Sequence, residues 1–113
     1  MRSLMLVLFL IPLCAQPPQG GRGMPEPKNL KILKPDELMP AMRSFTTGLG
    51  VRCDFCHAQG DFASDEKRPK LTARRMIEMT RDINQTNFHG RERVTCYACH
   101  HGEQEPKSAP PQQ

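Results

Sequence analysis

The sequence predicts an all-α protein built from two similar halves, and three observations carry that prediction. Apolar residues recur at three- and four-residue steps in two segments. No run alternates as a half-buried strand would, and each helical segment is followed by a Cys-x-x-Cys-His phrase. The chain has 113 residues, 37% of them hydrophobic and 5% aromatic, with no Trp. So small an apolar complement offsets little of the entropy of ordering, and disulfides, a metal or a bound group must contribute.

Residues 1–15 carry Arg2, an apolar run from Leu4 to Leu13, then Cys14 and Ala15. This is a signal-peptide pattern, with cleavage expected after Ala15. The run of about ten apolar residues falls short of the roughly 20 that a spanning helix needs, so no membrane span is expected after its removal. A lipid anchor on Cys14 is disfavoured, because Ile11, Pro12 and Leu13 lack the small side chains such processing prefers. Residues 16–28 are rich in Pro, Gly and Gln and read as a linker, and residues 103–113 read as a flexible tail. The foldable part is residues 29–102.

The first helix is expected to begin near Pro35 or Asp36, where Pro presets the backbone and Asp36 and Glu37 suit the positive end of the dipole, and to stop at Gly48. Pro40 is tolerable there only in or near the first turn. Met39, Met42, Phe45, Thr46 and Leu49 form one stripe. The second long helix is expected from Thr72 to Thr86, with Met76, Met79, Thr80 and Ile83 on one face. The basic run Lys67, Arg68, Lys70, Arg74 and Arg75 reads as a solvated helix start or a docking face.

Cys53-Asp54-Phe55-Cys56-His57 and Cys96-Tyr97-Ala98-Cys99-His100 are two complete CxxCH sequences, the attachment signal for c-type haem. On a helix, residues i, i+3 and i+4 share a face. Both sulfurs can then reach the vinyl groups of one porphyrin while the adjacent imidazole reaches its iron. Two covalently bound haem c groups are therefore expected, on Cys53, Cys56, Cys96 and Cys99, with His57 and His100 as proximal iron ligands. A Cys₄ zinc site or a disulfide framework would also use four cysteines. Neither explains a His after each pair, and the thirty-nine residues between Cys56 and Cys96 exceed the usual zinc-ribbon separation.

The sixth iron position decides between electron transfer and ligand chemistry. The foldable region has four methionines, two upstream of each CxxCH and none after Cys99. An upstream helix must therefore supply any Met ligand to the second haem. Met42 or Met39 for the first and Met76 or Met79 for the second fit one repeated plan, although Met at helical spacing is commonly core filler. His89 is a further candidate for a distal ligand, an exposed loop His being the plainer reading. His101 reads as a surface residue or propionate contact.

The stretches MRSFTTGLGVRCDFCH (residues 42–57), ARRMIEMTRDIN (residues 73–84) and VTCYACHHG (residues 94–102) together resemble the photosynthetic reaction-centre cytochrome c subunit family. The resemblance implies helix pairs around haems, with the axial Met taken from the helix preceding each attachment motif. It assigns Met42 to the first haem and Met76, over Met79, to the second. His89 matches a family His that ligates a more distant haem.

The expected fold is thus a small dihaem c-type cytochrome, two Met-bearing helices each followed by a CxxCH helix, between flexible termini. The expected function is single-electron carriage, periplasmic or otherwise exported, between a redox donor and acceptor that include a membrane-bound electron-transfer complex as a candidate. The macrocycles would be buried against Phe45, Leu49, Phe55, Ile77, Ile83 and Val94. The alternative is a haem enzyme or small-ligand sensor with one five-coordinate iron. The formal net charge of +4 falls to +3 without Arg2 and nearer zero with haem propionates. It does not point to nucleic acid, and no stacking aromatics accompany the basic residues.

Overall fold

The computed structural model describes residues 26–111. The signal segment, the Cys14 anchor and most of the linker lie outside them. The regular structure among the described residues is helical, with no strand longer than a single bridge between Ala58 and Asp61. A 3-10 turn over Pro35–Glu37 leads into α1 (Leu38–Leu49), followed by α2 (Cys53–Cys56), α3 (Arg68–Phe88) and α4 (Cys96–His100). Among the described residues no helix is long and apolar enough to cross a membrane.

Local chemistry explains most of these bounds. Pro35 opens the 3-10 turn, and Glu37 folds its carboxylate back onto the Lys34 N–H at 2.9 Å, satisfying a donor that the turn leaves free. Pro40 falls in the first turn of α1, where its missing N–H costs no helical bond. Gly50 ends α1 in the left-handed conformation, φ 64°, and its N–H donates to Thr46 O. The helix therefore continues through Gly48, where the sequence alone suggested a stop. α3 is likewise longer than expected, because Pro69 sits at its start and nothing interrupts it before His89 caps it at φ 55°.

Gly48 remains helical because its missing side chain serves tertiary packing. A Cβ there would lie 2.8 Å from the Cys96 Cβ and 3.1 Å from the Tyr97 nitrogen. α1 thus packs directly against α4, and the Gly102 N–H donates to Gly48 O at 2.8 Å to fasten the crossing. α3 packs against α2. The exchange is reciprocal: the Met-bearing helix of each half rests on the CxxCH helix of the other.

The polypeptide core is small. Among the described residues Ile77 is the buried hydrophobic, joined by Gly48 and by the polar Asn84, and no side chain is fully enclosed. Phe45, Leu49, Phe55, Ile83 and Val94 are half-buried. Residues 103–111 are exposed, yet Ala109, Pro110 and Pro111 return to share a shallow groove with Cys99, His100 and His101.

Candidate functional site

Both CxxCH motifs fall on single helical turns, but the turns differ. α4 contains its His, as the i, i+3, i+4 argument expects, and Thr95 caps it by accepting from the Ala98 N–H at 3.3 Å. α2 stops at Cys56. His57 is extended, at φ −114° and ψ 142°, so the first motif departs from the expected continuous helix. Tertiary contacts position it instead: its ring lies 5.1 Å from the Phe62 ring, and its Nδ1 lies 3.0 Å from Phe62 O.

The second motif repeats that hydrogen bond, with His100 Nδ1 3.0 Å from Glu103 O. A carbonyl oxygen only accepts, so in both halves Nδ1 carries the proton and donates. In the neutral ring this leaves Nε2 as the lone-pair nitrogen, and a metal-ligating imidazole is commonly fixed in this way. Two motifs of different backbone shape thus converge on one tautomer.

The four thiols are free. Cys53 and Cys99 are exposed, whereas burial pushes the thiols of Cys56 and Cys96 above their ordinary range, Ser44 on α1 partly opposing this at Cys96. Among the described residues no three His, Cys, Asp or Glu side chains gather into a metal cluster. Of the methionines, Met42 and Met76 are half-buried, while Met39 and Met79 are 39% and 45% exposed. His89 and His101 are both exposed, each in a left-handed cap.

The basic run does not form one solvated face. Lys70 and Arg74 turn inward onto Asp65, at 3.3 and 2.9 Å. Arg74, Asn29 and Lys70, in that order, hold the Asp65 carboxyl well below the usual carboxylate range. Lys67 donates to Asp54 O, tying the start of α3 to α2. Arg68 and Arg75 remain exposed.

Asn84 is a positioning residue that the sequence alone did not single out. Its side chain is buried in α3 and bonds three backbone groups of residues 93 and 94, directly ahead of the second motif. Its residue type gives no signal, because Asp82, Thr86 and Asn87 in the same helix are equally poor helix formers and remain exposed.

The donor set fits thioether-linked haem: unbridged thiols three residues apart, an imidazole held with Nε2 free, and half-buried thioethers on the helices. A helical protein with two such motifs is a c-type cytochrome. The family model of the photosynthetic reaction centre cytochrome C subunit matches residues 25–110, and the chain belongs to that family. It is 39% identical over 84 residues to the photosynthetic reaction center cytochrome c subunit of Thermochromatium tepidum, a match covering 71% of this chain and 21% of that protein. With the corresponding subunit of Roseobacter denitrificans it shares 32% identity over 104 residues, 79% of this chain and 28% of the relative. Cytochrome c-554 of Chloroflexus aurantiacus is 39% identical over 66 residues, covering 52% and 16%. The chain therefore spans between a sixth and little more than a quarter of these relatives.

Proposed function

We propose that this chain is an exported dihaem cytochrome that carries single electrons between redox proteins. Cys53 and Cys56 attach one haem c and Cys96 and Cys99 a second; His57 and His100 are the proximal iron ligands, and Met42 and Met76 the distal ones. Each haem, when bound, supplies a one-electron Fe(III)/Fe(II) couple. The observation that carries this reading is the repeated bond from His Nδ1 to a backbone carbonyl, at 3.0 Å in both halves.

The chain's own residues do the rest. The Phe62 and Glu103 carbonyls fix the two imidazoles and raise their basicity towards iron. Met42 and Met76 lie on the helices that precede each motif and are more covered than Met39 and Met79. The resemblance to the family, in which the axial Met comes from the helix preceding each motif, supports pairing Met42 with the first motif and Met76 with the second. A thioether in the sixth position raises the potential and closes the iron to external ligands, favouring carriage over catalysis. The relatives named for the photosynthetic reaction centre support a membrane-bound complex as one redox partner.

The test is optical and paramagnetic resonance spectroscopy of matured protein, comparing wild type with Met42→Ala and Met76→Ala. Each substitution is expected to change the axial field of one haem and open it to carbon monoxide in the reduced state. If both variants retain wild-type spectra, the distal assignments are wrong. If the wild type itself binds carbon monoxide rapidly, the carrier reading gives way to a five-coordinate enzyme or sensor.

A further inference from the structure

The two proximal histidines share a bonding pattern but not its surroundings. Phe62 O accepts two hydrogen bonds, from His57 Nδ1 at 3.0 Å and from Lys70 Nζ at 2.9 Å. The Lys70 side chain is only 12% exposed. Its ammonium also lies 2.9 Å from Ala63 O, 2.7 Å from Ser64 O and 3.3 Å from the Asp65 carboxylate. Three N–H donors facing four acceptors hold it firmly in place. Glu103 O, the equivalent carbonyl in the second half, takes no hydrogen bond from a lysine or arginine among the described residues. Lys107 is directed to the Glu103 carboxylate instead, at 3.1 Å.

We propose that Lys70 is a positioning residue that raises the reduction potential at His57 above that at His100, acting through the Phe62 carbonyl. The proposal rests on the haem attachment put forward above. Two donors on one oxygen draw on the same electron density, so each bond is weaker than it would be alone, and an ammonium is the stronger competitor. His57 Nδ1–H is therefore less drawn towards the carbonyl, its ring has less imidazolate character, and Nε2 is a poorer donor to ferric iron. The lysine's positive charge acts in the same direction, against the more positive ferric state. Asp65 offsets that charge in part and leaves the competition for Phe62 O untouched.

Redox titration of the matured protein tests this in wild type, Lys70→Gln, Lys70→Arg and Arg75→Gln. Lys70→Gln is expected to lower one of two potentials by on the order of tenfold in the one-electron equilibrium constant, about 59 mV, and to leave the other unmoved. Lys70→Arg falls between this variant and wild type. Arg75→Gln removes the same charge from an exposed position on α3 and moves neither potential. In fully reduced wild-type protein, the His57 Nδ1–H proton, identified by its proximity to the Phe62 ring, resonates upfield of the His100 Nδ1–H proton.

Equal shifts in Lys70→Gln and Arg75→Gln would reduce the effect to net charge and overturn the proposal, as would a His57 proton at or downfield of the His100 proton. The Phe62 ring, 5.1 Å from the His57 ring, shifts that proton as well, so the comparison is made after its ring current is subtracted; it needs no variant and decides the matter even if Lys70→Gln fails to mature. A wild-type protein with no titrating centre at all would instead remove the haem reading beneath it.

Discussion

Asn84 grips Val94 from both sides: its Nδ2 donates to Val94 O at 2.8 Å and its Oδ1 accepts from the Val94 N–H at 2.8 Å. The same Oδ1 accepts from the Arg93 N–H at 2.9 Å. A side chain on α3 thereby supplies what a neighbouring strand would, and it sets the chain direction one residue before Thr95 caps α4. Asn84→Ala strands backbone groups in a part-buried site at about 1–3 kcal/mol per unmet partner. We expect a total loss on the order of 3 kcal/mol, read by denaturant unfolding, with Asn84→Asp losing less because it keeps both accepted bonds.

Gly48 meets Cys96 so closely that any side chain must displace α4. Gly48→Ala is expected to cost about 1–3 kcal/mol, the range for overpacking a fitted contact. In the matured protein it should lower haem occupancy at Cys96 and Cys99 more than at Cys53 and Cys56, as peptide mapping would show. Equal occupancy at the two motifs would mean that the α1–α4 crossing does not position the second one.

Asp65 links acid stability to the 62–65 loop. Its folded pKa is depressed by Arg74, Asn29 and Lys70. It therefore contributes stability above its ordinary value near 3.8, and that contribution is lost as pH falls from there through the folded value. Unfolding followed across this acid range is expected to show a steeper loss in wild type than in Asp65→Asn. Matching slopes would indicate that the Lys70 and Arg74 contacts do not persist in solution.

Thiol reactivity separates the cysteines of the unmatured chain. Burial raises the Cys56 and Cys96 pKa values, so at a given pH these thiols hold less thiolate, the reactive form. Alkylation timed by mass spectrometry should label exposed Cys53 and Cys99 first. Cys56 and Cys96 should react faster as pH rises towards and past 9.0, the ordinary thiol value here.

Much of this was legible in the sequence, because its strongest signals are local. The spacing of Met39, Met42 and Phe45 and of Met76, Met79 and Ile83 marks both long helices, and each CxxCH phrase marks a short helical turn. What escaped depends on partners that only the folded chain brings together. Gly48 looks like a helix end until Cys96 is seen to occupy the space where its Cβ would be. Lys70 and Arg74 look solvated until Asp65 is seen to pair with both and the 62–64 carbonyls to accept from Lys70. His57 leaves its helix because Phe62, five residues on, supplies both a ring and a carbonyl. No helical period carries information of that kind.

The most direct test is the intact mass of protein produced with a haem-attachment system and washed with acidified organic solvent. Thioether links at both motifs predict the polypeptide plus two haem groups, falling to one in the Cys96→Ala, Cys99→Ala double variant. A colourless product, or a mass equal to the bare chain after the wash, would contradict the account.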